Sequence, residues 1–248
     1  MPGDKQVKEP HAPKGSEKST LREWIRLVSL DAAGAFLYGE IDRRLEFKDA
    51  INKALKHPVP KHVNWTYCFG GMTFLLFLIQ ALTGVLLTLY YQPSTTDAYE
   101  SVKYIMNDVK FGWLIRSVHR WGAELMVLML FLHMMRVYFN GAYKHPRELN
   151  WIAGVCLFAL TMGFGFTGYL LPWDQKAYWG TTVGSNMPSE APVVGEFIKL
   201  FLRGGLEVSG KTLSRFYSMH VVILPMLLTF FLMAHFGMIR RQGISKPM

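Results

Sequence analysis

The chain has 248 residues, 50% of them hydrophobic and 14% aromatic, with a net charge of +9. That length would allow one or two soluble domains, but apolar runs of membrane-spanning length exclude that class. Two cysteines, Cys68 and Cys156, imply no disulfide framework.

Residues 1–20 are rich in Lys, Pro, Gly and Ser and lack both apolar periodicity and the apolar core of a cleavable signal. Residues 1–40 are therefore expected to form a disordered or extended basic extension. Residues 41–56, IDRRLEFKDAINKALK, place Ile41, Leu45, Ile51 and Leu55 near one helical face. This pattern fits an amphipathic helix on the membrane surface or one packed on a partner subunit. Pro58 and Pro60 end it. Spans are expected near 65–91, 113–139, 149–171 and 213–238, and the second carries charges only toward its ends. Between them lie a short polar loop (92–110), a tight basic turn (140–150) and a long connection (172–213). A connection of that length implies a functional loop or short surface helices. The expected fold is an all-α transmembrane four-helix bundle with an N-terminal surface helix.

Eighteen of the 27 Lys and Arg residues precede Trp65, lie in 136–147 or lie in 240–246. Four spans put these segments on one side, so both termini are expected on the cytoplasmic or stromal side. The basicity then reads as a topology signal with anionic lipid as counter-surface, and no nucleic-acid partner is implied.

His119 and His133 lie 14 residues apart in one span, and His220 and His235 lie 15 apart in another. Fourteen helical steps return to within about 40° of the starting direction and rise about 21 Å, whereas fifteen leave an offset of about 60°. The second and fourth spans run in the same direction, so His119 is expected opposite His220 and His133 opposite His235. Ionisable groups inside a bilayer are costly unless something holds them. Two bis-imidazole pairs at two depths are the ligand set of two haems. A proton relay is the bland alternative, and a zinc site would need ligands converging on one point.

Gly70 and Gly84 in the first span repeat the 14-residue interval, as do Gly154 and Gly168 in the third. Glycine brings a backbone close to a bulky planar group, so these two flanking helices are expected to admit two haem macrocycles. Small-residue helix packing is the alternative, and the match to the histidine interval, twice over, favours the haem. Arg116, Arg120 and Arg136 stand beside the histidines as partners for haem propionates, or as interfacial cations.

The stretches HVNWTYCFGG, FGWLIRSVHRW, HPRELNW, GFTGYLLPWDQ, RFYSMH and MIRRQGIS closely resemble the cytochrome b6 family, the four-span, two-haem subunits of b6f-type complexes. The resemblance runs from Asp42 to the C-terminus, making 41–248 one haem domain. The 15-residue interval favours the b6 type over longer cytochromes b. The resemblance implies two haem b groups, at His119/His220 and His133/His235, and a covalent c-type haem on Cys68 with Arg240 beside it. By side-chain chemistry alone Cys68 would be a buried structural cysteine. The same resemblance places a quinol-oxidation pocket at PWDQ, with Tyr169, Pro172, Trp173, Asp174 and Gln175 as lining and Tyr178 as further stacking surface. The family's PEWY glutamate is absent, which implies a separate smaller subunit that carries it. A Rieske iron–sulfur protein, a c-type cytochrome subunit and a dimer of the whole complex are the other partners implied. Asn52 and Lys53 stand where the family carries an acidic residue near the quinone-reduction side, so Glu46 or Asp49 would have to serve there.

The reading is a quinol:cytochrome c or plastocyanin-type oxidoreductase subunit in a bacterial plasma membrane or thylakoid, moving electrons across the bilayer in a Q-cycle. Its rivals are a di-haem cytochrome b anchor of a dehydrogenase and a haem-free membrane scaffold.

Overall fold

The computed structural model describes residues 60–245 and, before them, residues 39, 46, 49 and 52. The basic extension and most of the amphipathic segment lie outside the described residues, as does Lys53. Asp49 and Asn52 are helical and exposed. Residues 1–59 form one unit and residues 60–248 a second.

Every regular element in the described part of the second unit is a helix. A short 3-10 turn, Trp65–Cys68, opens on Asn64, whose side chain accepts from the Thr66 N–H at 3.1 Å and the Thr66 hydroxyl at 2.6 Å. It leads into α1, Phe69–Thr88, a helix with no charged residue. Then come α2 (Ala98–Asn107), α3 (Gly112–Phe139), α4 (Glu148–Leu170), α5 (Gln175–Asn186) and α6 (Gly195–Arg203). The last span is continuous from Gly210 to Gln242 and is built from α7 (Gly210–Ser218), a π-helical turn (Met219–Ile223) and α8 (Leu224–Gln242). Four stretches are long and apolar enough to cross a membrane: Trp65–Thr88, Gly112–Phe139, Glu148–Leu170 and Gly210–Gln242.

These bounds depart from the sequence expectations in three places. The first span stops at Thr88; beyond it Tyr91 turns back, donating its hydroxyl to the Leu171 carbonyl at 2.7 Å and stacking on Tyr217. The fourth runs past Met238 to Gln242, because hydropathy marks where lipid ends, whereas the helix ends at Gly243 with φ +69°. The polar 92–110 loop contains α2, which buries Ala98, Ser101 and Ile105 on one face. Asp97 precedes α2, and the Ser94 hydroxyl, then that of Thr96, hold its carboxyl below the usual range.

α1 packs chiefly on α3, and α8 chiefly on α4, so the bundle is two helix pairs facing each other. Phe74 and Phe236 meet edge to face across them, 5.1 Å between centroids. At one end of the bundle, Ala98, Leu170, Val208, Leu213 and Phe216 form a buried cluster beneath the long connection. Arg203, only 5% exposed, clips that connection together. Its Nε donates to Ser185 Oγ at 2.7 Å, Nη1 to the Leu206 carbonyl at 2.8 Å and Nη2 to the Thr182 carbonyl at 2.7 Å. Arg203→Ala takes the guanidinium donor from the buried Ser185 hydroxyl, at about 1–3 kcal/mol, and unties the part-buried Thr182 and Leu206 carbonyls. The expected outcome is protease cleavage within residues 172–209 of the variant under conditions where the unmodified chain resists.

At the other end the C-terminal segment folds back over the bundle. Arg147 donates to the Gln242 and Gly243 carbonyls at 3.0 and 3.3 Å, and Gln242 Nε2 donates to the Pro146 carbonyl at 2.9 Å. The Tyr67 hydroxyl reaches the Ser245 carbonyl at 3.4 Å. A cation on the last carbonyls of a helix complements its dipole.

Candidate functional site

α3 carries His119 and His133, and the last span carries His220 and His235. The His119 and His220 ring centroids stand 6.4 Å apart, those of His133 and His235 6.5 Å apart. A metal held between two imidazoles needs about 2.0–2.1 Å per bond plus about 1.1 Å from each bonding nitrogen to its ring centre, about 6.3 Å in all. Both separations match that span. No cluster of three or more His, Cys, Asp or Glu converges on one point among the described residues.

The 15-residue interval in the last span does not produce the 60° offset of an ideal helix. His220 lies in the π-helical turn Met219–Ile223, where the Leu224 N–H bonds back five residues to the Met219 carbonyl. A π-turn absorbs one extra residue, so fifteen positions here do the work of fourteen. Pro225 is the local cause: lacking an N–H, it cannot bond to residue 221, and its ring crowds that carbonyl in a regular helix.

Each of the four glycines abuts an imidazole. A Cβ on Gly84 would lie 3.4 Å from His119 Cε1, and one on Gly70 3.0 Å from His133 Cε1. On the other helix pair a Cβ on Gly168 would lie 2.7 Å from His220 Cε1, and one on Gly154 3.7 Å from His235 Cε1. The glycines thus make room for the imidazole rings from the neighbouring helix.

Two residues not singled out by the sequence complete one level. Thr83 Oγ1 lies 2.9 Å from His119 Nδ1, and Thr167 Oγ1 3.0 Å from His220 Nδ1. The signal was available: the dipeptide Thr-Gly recurs at 83–84 and 167–168.

Arg136 has buried Nε and Nη2 atoms without a hydrogen-bond partner among the described residues, and its guanidinium sits 3.4 Å from the Tyr67 ring centroid. An orphaned guanidinium beside an imidazole pair fits the carboxylate of a haem propionate. Arg116 is half-buried with Nη1 3.5 Å from Met106 Sδ, while Arg120 is exposed and 3.6 Å from Glu124. Cys68 is an exposed free thiol at the start of α1, two residues from Gly70 and so at the His133 end; Cys156 is half-buried. Arg240 is exposed in the last turn of α8.

The PWDQ segment proves to be a turn and a cap. Trp173 has φ +53° and packs on the buried cluster, edge to face with Tyr178 at 5.9 Å. Asp174 Oδ1 accepts from the Ala177 N–H at 2.7 Å and so caps α5. Gln175 accepts from Trp179 Nε1 at 3.1 Å, Pro172 is half-buried, and Tyr169 is exposed against Gly180. Of these residues Tyr169, Asp174 and Gln175 are exposed.

Two facing imidazole pairs, stacked at two depths in an apolar four-span bundle, define the class of membrane-embedded bis-histidine electron carriers. Residues 54–243 match the family model described as Cytochrome b/b6/petB. The chain is 53% identical over 212 residues to the cytochrome b6 of Synechococcus sp. (strain RCC307), a match that covers 86% of this chain and 97% of that one. It is 51% identical over 217 residues to the cytochrome b6 of Prochlorococcus marinus (strain AS9601), covering 88% of this chain and all of that one. A solved structure of a hyperthermophilic respiratory Complex III superposes with a TM-score of 0.78 at 36% identity, over 84% of this chain and 56% of that one. The chain belongs to the cytochrome b/b6 family. It is an integral membrane subunit of a quinol oxidoreductase complex, and members of its family bind two b-type haems.

Proposed function

We propose that this chain holds one b-type haem between His119 and His220 and a second between His133 and His235, and with them carries electrons from quinol across the bilayer. Quinol-linked electron transfer in a bc-type complex is the activity of the family. The observation that supports the assignment of ligands is the pair of ring separations, 6.4 and 6.5 Å, each the span of one bis-imidazole metal. A haem so held supplies reversible one-electron exchange between ferric and ferrous iron. The chain's own residues do the rest. The imidazoles ligate, the four glycines admit them, Arg136 neutralises a propionate, and apolar helices exclude water. A reduced-minus-oxidised spectrum of the purified complex is expected to show two b-type components. Its lack of any b-type band would instead support a haem-free scaffold.

In the same reading Cys68 carries a third haem through a single thioether bond, with Arg240 beside it. Its support is the free, exposed thiol at the His133 end of α1. Haem staining on a denaturing gel is expected on the unmodified chain and lost in Cys68→Ala. Staining that persists in the variant defeats the assignment, as would a complex holding two noncovalent haems alone. The quinol pocket includes Tyr169, Pro172, Trp173, Asp174 and Gln175, and a smaller cytochrome b-type subunit with the PEWY glutamate completes it. A Rieske iron–sulfur protein and a c-type cytochrome subunit take the high-potential electron toward cytochrome c or plastocyanin. The complex is a dimer, with both termini of this chain on the cytoplasmic or stromal side.

A further inference from the structure

Thr83 on α1 and Thr167 on α4 occupy equivalent places: each is buried, and each precedes a glycine that abuts a ligand imidazole. The Thr83 hydroxyl donates to the Ile79 carbonyl at 2.6 Å, with the Gln80 carbonyl at 3.3 Å. Thr167 does the same to Gly163 at 2.8 Å and Phe164 at 3.3 Å. A hydroxyl has one proton and two lone pairs. With the proton committed to the backbone, the contacts to His119 Nδ1 and His220 Nδ1 must have the ring N–H as donor. Both imidazoles are thereby fixed in the Nδ1–H tautomer, with the Nε2 lone pair left for a metal.

The other level is built differently. The Nδ1 atoms of His133 and His235 are buried with no hydrogen-bond partner among the described residues. Backbone carbonyls lie beside rings at both levels, Gln80 at His119, Phe164 at His220 and Asn150 at His235, so the threonine hydroxyls are what distinguish the first level. The positions equivalent to the threonines are Phe69 and Ala153. Back-bonding to the helix is not the distinction. Buried Thr161 also donates to a carbonyl four residues back, Leu157 at 2.9 Å, with no imidazole bond.

We infer that Thr83 and Thr167 are positioning residues for the His119/His220 pair, fixing its tautomer and strengthening its donation to iron. The inference rests on the haem ligation proposed above. An acceptor on Nδ1–H raises the basicity of the ligating nitrogen. A more basic pair favours ferric iron, so the two hydroxyls lower the midpoint potential of a haem held there and leave the other haem untouched.

The test is redox titration of the visible b-type bands of the assembled complex carrying Thr83→Val and Thr167→Val, singly and together. Electron paramagnetic resonance g-values of the low-spin ferric haems give a second readout. One of the two b components is expected to move to higher potential by about a tenfold change in the oxidised-to-reduced equilibrium, about 59 mV for one electron. The double variant is expected to move it further. Thr83→Ser and Thr167→Ser keep the hydroxyl and are expected to restore the potential, while Thr161→Val moves neither component. If a valine variant does not assemble, the alanine variant at that position deletes the hydroxyl without added bulk and is titrated in its place. Unchanged potentials, equal shifts in both components, or failure of serine to restore the value would overturn the inference. Absence of b-type bands from the unmodified complex would overturn the ligation itself.

Discussion

His220→Leu is expected to remove one of the two b-type haems from the assembled complex and to leave the other. His119 is the imidazole that His220 faces, and the second pair lies about 20 Å further along the helices, the rise of 14 residues. Leucine supplies no lone pair, so one face of the iron at that level loses its ligand while the other level keeps both. About half of the b-type absorbance should disappear, and the component that remains should titrate as a single one-electron step. Quinol-linked turnover should fall by more than about 100-fold, because even outer-shell changes at metal sites cost about 10–100-fold. His235→Leu is expected to remove the complementary component. Together the two variants assign each spectral component to its level. Retention of both components in His220→Leu would refute the pairing.

The features legible in the sequence were those set by periodicity. Four apolar runs of about 20 residues mark the spans, because a continuous apolar run in lipid satisfies its backbone as a helix. The intervals of 14 residues put His119 and His133 on one face, with Gly70 and Gly84 opposite. What could not be read was local geometry. The π-turn at Met219–Ile223 hides in an interval of 15, and only Pro225 betrays it. α2 escaped because ten residues with a mostly polar surface carry no membrane signal, although Ala98, Ser101 and Ile105 keep a helical spacing. Trp173 also packs on the buried cluster and Asp174 also caps α5, roles that the PWDQ motif does not spell out. Short-range capping and long-range packing use the same residue types as a binding site, so composition alone does not separate them.

The four glycines allow a graded test of whether they serve the imidazoles or simply close the helix pairs. A methyl group on Gly168 would stand 2.7 Å from His220 Cε1 and 3.3 Å from its Nδ1. That ring has little room to swing away, since Nδ1 is tied to Thr167 and Nε2 would be the ligating atom of the proposed haem. On Gly70 the methyl would be 3.0 Å from His133, on Gly84 3.4 Å from His119, and on Gly154 3.7 Å from His235. The last is ordinary van der Waals contact. Overpacking of this kind costs about 1–3 kcal/mol, or about 5–150-fold in retention of the bound group. Gly168→Ala is therefore expected to lose the haem at the His119/His220 level, and Gly70→Ala to weaken the one at His133/His235. Gly84→Ala should have a small effect, and Gly154→Ala should be near normal. Small-residue packing predicts a different result: all four alanines would loosen the bundle, and neither spectral component would be singled out. Haem-to-protein ratio and the two component potentials, measured for the four variants side by side, separate the cases. A Gly154→Ala complex as depleted as Gly168→Ala would show that the glycines serve helix packing and not the ligand rings.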